Sequence, residues 1–467
     1  VTTIDPFSFN SYQAGPTQEQ INNRPEWAQG LTKIFGIDTI KFWHPTGWIN
    51  HNWLGDILFY QLAGNSHIID TDSLPFNSLV YLKFAIYLLT AFVVFRAIRI
   101  FNIHPFVATV FTCAVMIVSR TFLTIRAYDF ANLLSAVLIL ILILTIYRNI
   151  LFIWLIVPLL VLWANIYSSY VFALAIIGLF LIANMLALIF PKLFNSVAVK
   201  GIINVLSAGI AAVIGIIILN PYHISNITYA FSKFFGNLSK GWLENNQWHP
   251  AFEKNNPVGD SFAFAIMLIL AIVIALLWFS VSQVAVPVFI KALNRHRKKT
   301  MEQQMESADA TMPIQYEQPE NVLAFQWRKI ELSLIAVAGL AIFIALRHRS
   351  FIPMAAIIVC PILALLLTQI IRSISLALNF KKKNIFEISP VPHSLEILSV
   401  FITIVTVIGF GFYCGTKFKK IYLDPWPNNS TLNSVFIRMT ASDTKPFAAC
   451  QFIRDNNLNG KIFNYWT

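Results

Sequence analysis

The stretch FANLLSAVLILILILTIYRNILFIWLIVPLLVLWANIYSSYVFALAIIGLFLIANMLALIF (130–190) decides the fold class. It is almost continuously apolar, and only two polar clusters interrupt it: Arg148-Asn149, and the residues from Asn165 to Ser169. A helix needs ~20 mostly apolar residues to cross a bilayer. Polar clusters mark interfaces, so the stretch divides into spans at 130–147, 150–167 and 169–190. Outward from it, further apolar runs lie at 78–98, 105–122, 201–219, 261–284, 331–346, 351–371 and 395–414. The reading is an all-α polytopic membrane protein of about ten transmembrane helices.

Composition agrees. Of the 467 residues, 57% are hydrophobic and 12% charged, where soluble proteins carry about 25% charged residues. The mean hydropathy is +0.65. Forty Phe and twelve Trp add apolar bulk beyond the needs of a soluble core. Disordered, collagen-like and disulfide-framework classes are excluded. Cys113 and Cys360 lie in apolar runs as inert thiols, and Cys414 and Cys450 are the one pair able to meet outside the membrane.

The net charge of +12 raises nucleic acid as a partner, but in a polytopic protein basic residues first report sidedness. With residues 1–77 outside, the inner loops hold sixteen Lys and Arg (Arg96, Arg99, Arg148, Lys192, Lys200, the cluster Lys291–Lys299 with Arg328 and Lys329, Arg372, and Lys381–Lys383). The short outer loops hold seven: Arg120, Arg126, Lys233, Lys240, Lys254, Arg347 and Arg349. This balance places both ends of the chain outside, and nucleic acid is not expected as a partner. The organisation is then an outer first loop (1–77), a bundle of about seven helices (78–293), a mobile cytoplasmic linker (294–330), about three more helices (331–414) and the start of an outer soluble segment (415–467). The chain begins at Val1 and stops at Thr467, and reads as a processed chain or a piece of a longer one.

Polar clusters at helix ends share the outer side: RTFLTIRAYD (120–129), WANIYSS (163–169), NPYHIS (220–225), ENNQWHP (244–250) and RHRS (347–350). Polar and ionisable groups gathered at one membrane face point to a site there, although interfacial anchoring by Trp and Arg is the competing explanation. In WINHNWLGDILFYQL (48–62), Trp48, Trp53, Leu54, Ile57, Leu58 and Leu62 share a helical stripe. That suits an amphipathic helix lying in the membrane plane, or one packed on the bundle. Arg126 and Asp129 are spaced to pair. Arg347 and Arg349 flank His348, where arginine can bind phosphate bidentately or snorkel to headgroups. P-loop, HExxH and GxSxG motifs and zinc-ligand spacing are all lacking. Charge at mid-membrane is nearly lacking too, which disfavours a secondary transporter.

These clusters, in this order, resemble bacterial integral-membrane glycosyltransferase-like proteins of the type C class. TIDPFSF (3–9) and WINHNWLGDILF (48–59) are similar to the family's opening stretch and first-loop helix. LLVLWANIYSSY (159–170), LNPY (219–222), QWHP (247–250) and RHRSFIPMAAIIVCP (347–361) follow in the family's order, and ACQFIRDNNLNGKIFNYW (449–466) closes it. Asn52 stands where the family often has Glu, and Tyr167-Ser168-Ser169 where it has His-Gly-Gly. The resemblance implies transfer of a sugar from a polyprenyl-phosphate donor to an acceptor at the outer face of a bacterial inner membrane. It places the main catalytic carboxylate in a first outer loop that precedes residue 1.

Such chemistry needs a carboxylate to take the acceptor's proton and cations to stabilise the departing phosphate. Asp5 and Asp56 are the carboxylate candidates. Arg126, Arg347, Arg349 and His348 are the donor-phosphate candidates. His51, Asn52, Asn165 and His249 are candidates to orient the acceptor. No cofactor is required, although some members use Mg or Mn. The alternatives are a lipid-linked polysaccharide ligase or polymerase, and a non-catalytic transporter or assembly component. For a transferase the expectation is an outer-face cavity joining an acidic residue to Arg347 or Arg349.

Overall fold

A computed structural model describes residues 52–63, 77–120, 127–191, 193–235, 248–253, 259–307, 331–383 and 393–424, with isolated positions beyond them. The elements formed there are helical. In chain order they are α1 (Trp53–Ala63), α2 (Asn77–Ile100), α3 (Pro105–Val118), α4 (Ala127–Tyr147), α5 (Ile156–Ile166, entered through a 3-10 turn Ile150–Leu155), α6 (Tyr170–Ile189), α7 (Val199–Leu219), α8 (His223–Phe235), α9 (Gly259–Trp278), α10 (Val286–Ser307), α11 (Leu332–Arg347), α12 (Ile352–Lys383) and α13 (His393–Phe418).

Each of the ten apolar stretches forms helix within its described residues. Seven of the resulting helices are long and apolar enough to cross a membrane: Ser78–Ile100, Ala127–Tyr147, Tyr170–Ile189, Val199–Leu219, Ser261–His296, Arg349–Asn379 and Glu396–Leu423. The other three, Pro105–Val118, Ile150–Ile166 and Leu332–Arg347, are shorter. The chain is thus a polytopic helical membrane protein.

The helices break where local chemistry requires it. His104 Nδ1 accepts the Phe106 N–H and Pro105 opens α3, so an orphan donor is capped and Pro occupies a position whose N–H would have no helical partner. At the preceding turn Asn102 takes a left-handed backbone, φ 55°, which Asn tolerates. Asn149 caps the 3-10 turn by accepting the Leu151 N–H at 2.9 Å. Between α9 and α10 the helix widens into a π stretch, Phe279–Ala285, immediately before Pro287. Pro287 has no N–H to give to the preceding turn and its ring crowds that turn's carbonyl, which accounts for the widening.

Successive apolar helices run in opposite directions, so the bundle has two ends, named here for the residues that anchor them. At the Glu331 end, Tyr147 and Asn195 both donate to Glu331 Oε1, at 2.9 and 2.8 Å, and the Phe101 and Tyr147 rings meet edge-on with centroids 5.0 Å apart. The other end carries Arg349. The centre is α12, which touches α2, α3, α4, α9, α10 and α11 and is nearly enclosed from Phe351 to Leu366. Its Ala355, Ala356 and Ala364 are fully buried, and these small residues let neighbouring backbones approach closely. At the periphery α13 packs mainly on α3, and its Ile397, Phe401, Ile404, Ile408 and Phe412 stay exposed.

The linker boundary read from sequence at 294 falls within a described helix. The linker expected from 294 begins as helix, since α10 continues to Ser307 through a run of good helix formers (KKTMEQQM). Residues 308–330 and most of 425–467 lie outside the described residues. So do Asp5, His51, Arg126 and Cys450, and with them the Arg126–Asp129 and Cys414–Cys450 pairings. Cys113, Cys360 and Cys414 are free thiols.

Candidate functional site

The polar groups at the Arg349 end form three connected clusters. The first is built from amides. Asn165, the last buried polar residue of α5, accepts from Trp53 Nε1 at 2.9 Å and from Asn220 Nδ2 at 3.1 Å, and its own Nδ2 donates to the Val161 carbonyl at 2.7 Å. Asn226 and Asn220 both donate to the Ala164 carbonyl, at 3.3 and 3.2 Å. Asn220 Oδ1 also accepts the Tyr222 N–H at 2.9 Å, fixing the turn into α8. His223 completes that turn with φ 49° while its ring Nδ1 pairs with the Ile217 carbonyl at 2.8 Å. Trp163 Nε1 donates to Ser169 Oγ at 3.1 Å. These bonds satisfy buried amides whose stranding would be costly, and they dock α1 across the ends of α5 and α7.

That docking divides the amphipathic stripe expected in α1. Trp53 and Leu54 turn inward, Gly55 is buried against Ala127 and Ile166, and the Phe59 ring meets Phe130 with centroids 5.9 Å apart. Ile57, Leu58 and Leu62 stay exposed, at 47%, 37% and 38%. Asp56 is exposed as well, and Asn52 sits at the helix start half-buried.

The second cluster brings together three residues singled out from sequence. Segments 248–251 and 346–349 run against each other through backbone bonds from Arg349 N to the His249 carbonyl (2.9 Å) and from Ala251 N to the Leu346 carbonyl (3.2 Å). Across them the buried Arg349 donates from Nη2 to Glu253 Oε2 at 2.9 Å. His249 Nδ1 lies 2.7 Å from the same oxygen, and His348 Nδ1 lies 2.9 Å from the Trp248 carbonyl. Trp248, Phe234, Phe172, Phe351 and His348 pack ring to ring around the pair. Arg349 is therefore engaged by protein, and Arg347 turns away to the exposed surface, its guanidinium 5.8 Å from the centre of the Phe343 ring.

The third cluster is a pocket between α2, α3, α4 and α12, lined by Lys83, Ile86, Tyr87, Thr90, Met116, Ser119, Asp129, Asn132 and Ile357. Lys83 is half-buried on α2, whereas Asp129 and Asn132 in the first turns of α4 are 6% and 8% exposed. Tyr87 donates to the Met116 carbonyl at 3.1 Å. Ser119 Oγ is buried with no hydrogen-bond partner among the described residues. Ile357 on the pocket wall lies one turn before Pro361, which has no N–H to give to its carbonyl. The end of α13 and the π turn that continues it, Lys419–Leu423, abut the pocket. Lys83 Nζ donates to Tyr422 OH at 3.3 Å, and Arg120 donates to Tyr413 OH. Tyr128 joins this cluster to the second by donating to the Ser350 carbonyl.

A cavity holding an acidic residue is thus present, but its cation is Lys83 where the sequence pointed to Arg347 or Arg349. Sequence reading missed Lys83 as a site residue, treated Asp129 only as a partner for Arg126, and passed over Glu253. The sequence does carry a signal for Lys83, an ionisable residue within an apolar run, where such residues point to function. Among the described residues no three His, Cys, Asp or Glu side chains gather as a metal site. No family model, curated protein or solved structure matches the chain.

Proposed function

We propose that the protein is a membrane glycosyltransferase of the type C kind, moving a sugar from a polyprenyl-phosphate donor to an acceptor hydroxyl at the Arg349 end. The observation that carries this reading is the pocket in which Lys83 and the buried Asp129 line one cavity beside the amide of Asn132 and the hydroxyl of Ser119. The reading takes all ten apolar helices as spans and the Arg349 end as outside, because the basic residues gather at the other end. A lipid-linked donor requires a site at helix ends, where headgroups lie, and this pocket is so placed.

In this scheme the Asp129 carboxylate accepts the proton of the acceptor hydroxyl. The acceptor oxygen bonds to the sugar C1 as the bond from C1 to the phosphate oxygen breaks. The lipid phosphate leaves with the bonding pair, and the Lys83 ammonium meets its growing charge. Asn132 and Ser119 supply hydrogen bonds that hold hydroxyls in place. Arg349, Glu253, His249 and His348 are the scaffold that fixes the start of α12. Asp56 is exposed at the rim, so Asp129 suits the role of base better.

The test is binding of a polyprenyl-phosphate sugar to the full-length protein in nanodiscs. Wild type should bind saturably. Lys83→Gln should weaken binding about tenfold or more, and Asp129→Asn should bind but leave the donor uncleaved in an acceptor screen. The double variant Arg347→Ala, Arg349→Ala separates this pocket from the arginine cluster. If only that double variant loses binding, the phosphate sits elsewhere. A folded wild type that binds no donor ends the transferase reading.

A further inference from the structure

At the Glu331 end, α10 carries a basic ridge that continues an exposed apolar face. Val286 and Ile290 pack inward against Ala377 of α12, beside Leu293 of the same helix. Val288, Lys291, Arg295 and Lys299 follow at spacings of three, four and four residues, which places them on one stripe of a helix, turned away from that packed side. Val288 is 60% exposed and Lys291, Arg295 and Lys299 are all exposed. One face therefore passes from apolar to cationic within a single turn, in the order that a lipid passes from acyl chain to headgroup. The helix does not break at the transition, because it continues to Ser307.

Dimensions agree with this reading. Lys291 to Lys299 covers roughly 12 Å of helix axis at 1.5 Å per residue, and the interfacial layer of one leaflet is roughly 5–8 Å deep. Lys291 and Arg295 then lie within the headgroup layer together, and the long side chain of Lys299 reaches back to it. Further cations stand on the neighbouring helix: Lys381 is exposed, and Arg372 is partly committed through a 2.8 Å bond to the Asn102 carbonyl.

We infer that this ridge is a binding surface for anionic lipid headgroups of the adjoining leaflet. The inference does not depend on the proposed transfer activity. Cations at a membrane surface add their attractions to acidic lipid roughly one by one, at about fivefold in affinity each. Full-length protein extracted from vesicles of equal phosphatidylglycerol and phosphatidylcholine should retain phosphatidylglycerol preferentially in native mass spectrometry. The preference should decline as salt rises. Lys291→Gln with Arg295→Gln and Lys299→Gln should abolish it without lowering the melting temperature. A control removing two charges at the other end, Lys419→Gln with Lys420→Gln, should leave it intact. Retention of the preference by the triple variant, or its equal loss in the control, overturns the inference. So does saturable binding of an RNA oligonucleotide at the ridge in place of lipid.

Discussion

Arg349 and Glu253 form a hydrogen-bonded ion pair at 2.9 Å in which the arginine is 2% exposed and the carboxylate 32%. Their partnership ties the start of the central helix α12 to the segment that follows α8. Arg349→Ala leaves the Glu253 oxygen to His249 and solvent, and Glu253→Ala takes the carboxylate away from a buried guanidinium. Each should destabilise the protein by about 2 kcal/mol, the loss of a charge-assisted hydrogen bond. The double variant should cost less than the sum of the two, since the first change has already broken the pair. Thermal melts of the four proteins in one detergent check this. Strict additivity means that the pair contributes nothing.

Gly55 is where α1 meets the bundle most closely. A Cβ there would lie 3.1 Å from Ala127 Cβ and 3.6 Å from the Ile166 carbonyl oxygen. Neither is the tip of a flexible side chain, so the backbone itself must yield. Overpacking costs on the order of 1–3 kcal/mol and offsets the roughly 1 kcal/mol that alanine gains over glycine within a helix, so Gly55→Ala should destabilise by up to about 2 kcal/mol. It should speed hydrogen exchange in Trp53–Ala63 and leave α12 protected. Unchanged exchange in α1 would show that its docking is looser than this packing implies.

Glu331 gives a pH-dependent prediction. Burial raises its carboxyl above the ordinary value of 4.5, and the bonds from Asn195 and Tyr147 offset part of that rise. The folded state therefore favours the protonated acid. Its stabilising contribution is full below about pH 4.5 and is lost as pH rises through the elevated folded value. Glu331→Gln stays neutral and can accept both bonds. It should melt at a similar temperature to wild type in acid and above it near neutrality. A difference that stays constant with pH would contradict this.

How far the sequence carries can be judged from these residues. The helical spans were legible, because roughly twenty apolar residues in succession have few other solutions in a chain this poor in charge. That Arg349, His348 and His249 share one end of the bundle was also legible, through polar runs at the ends of apolar stretches. Their partner Glu253 was not, since one acidic residue in a polar loop carries no pattern of its own. The direction of each side chain was not legible either. Arg347 and Arg349 look equivalent two positions apart, yet a short 3-10 turn, Arg349–Phe351, buries one and exposes the other. The pocket of Lys83 and Asp129 needs α2, α3, α4 and α12 to converge, and no local spacing encodes that.

Asn165 tests the amide cluster. Its Oδ1 accepts from both Trp53 and Asn220, so Asn165→Leu takes the acceptor from the half-buried Trp53 indole and from one N–H of the buried Asn220 amide, which keeps its bond to the Ala164 carbonyl. The loss should be about 2–4 kcal/mol, one to two for each donor that loses this acceptor. Asn165→Asp retains the acceptor and should recover part of that loss. Melting temperatures rank the three proteins, and equal losses in Leu and Asp would show that shape, rather than the acceptor, is what the site needs.

Two tyrosines, Tyr413 of α13 and Tyr422 of the π turn after it, stand at the pocket. Few of this helix's apolar side chains are buried, so little packing holds its far end. Tyr422 accepts from Lys83, its ring lies 5.6 Å from the same ammonium, and Tyr413 accepts from Arg120. Tyr422→Phe removes the hydroxyl and keeps the ring. A single such bond is worth roughly 1 kcal/mol, so global stability should scarcely change. Hydrogen exchange over 413–423 should rise severalfold. If a donor phosphate binds Lys83, it must compete with Tyr422 for the same ammonium, and Tyr422→Phe should tighten donor binding by up to about fivefold, the equivalent of that hydrogen bond. Faster exchange with unchanged donor affinity would leave the tyrosine a structural clasp and move the phosphate away from Lys83.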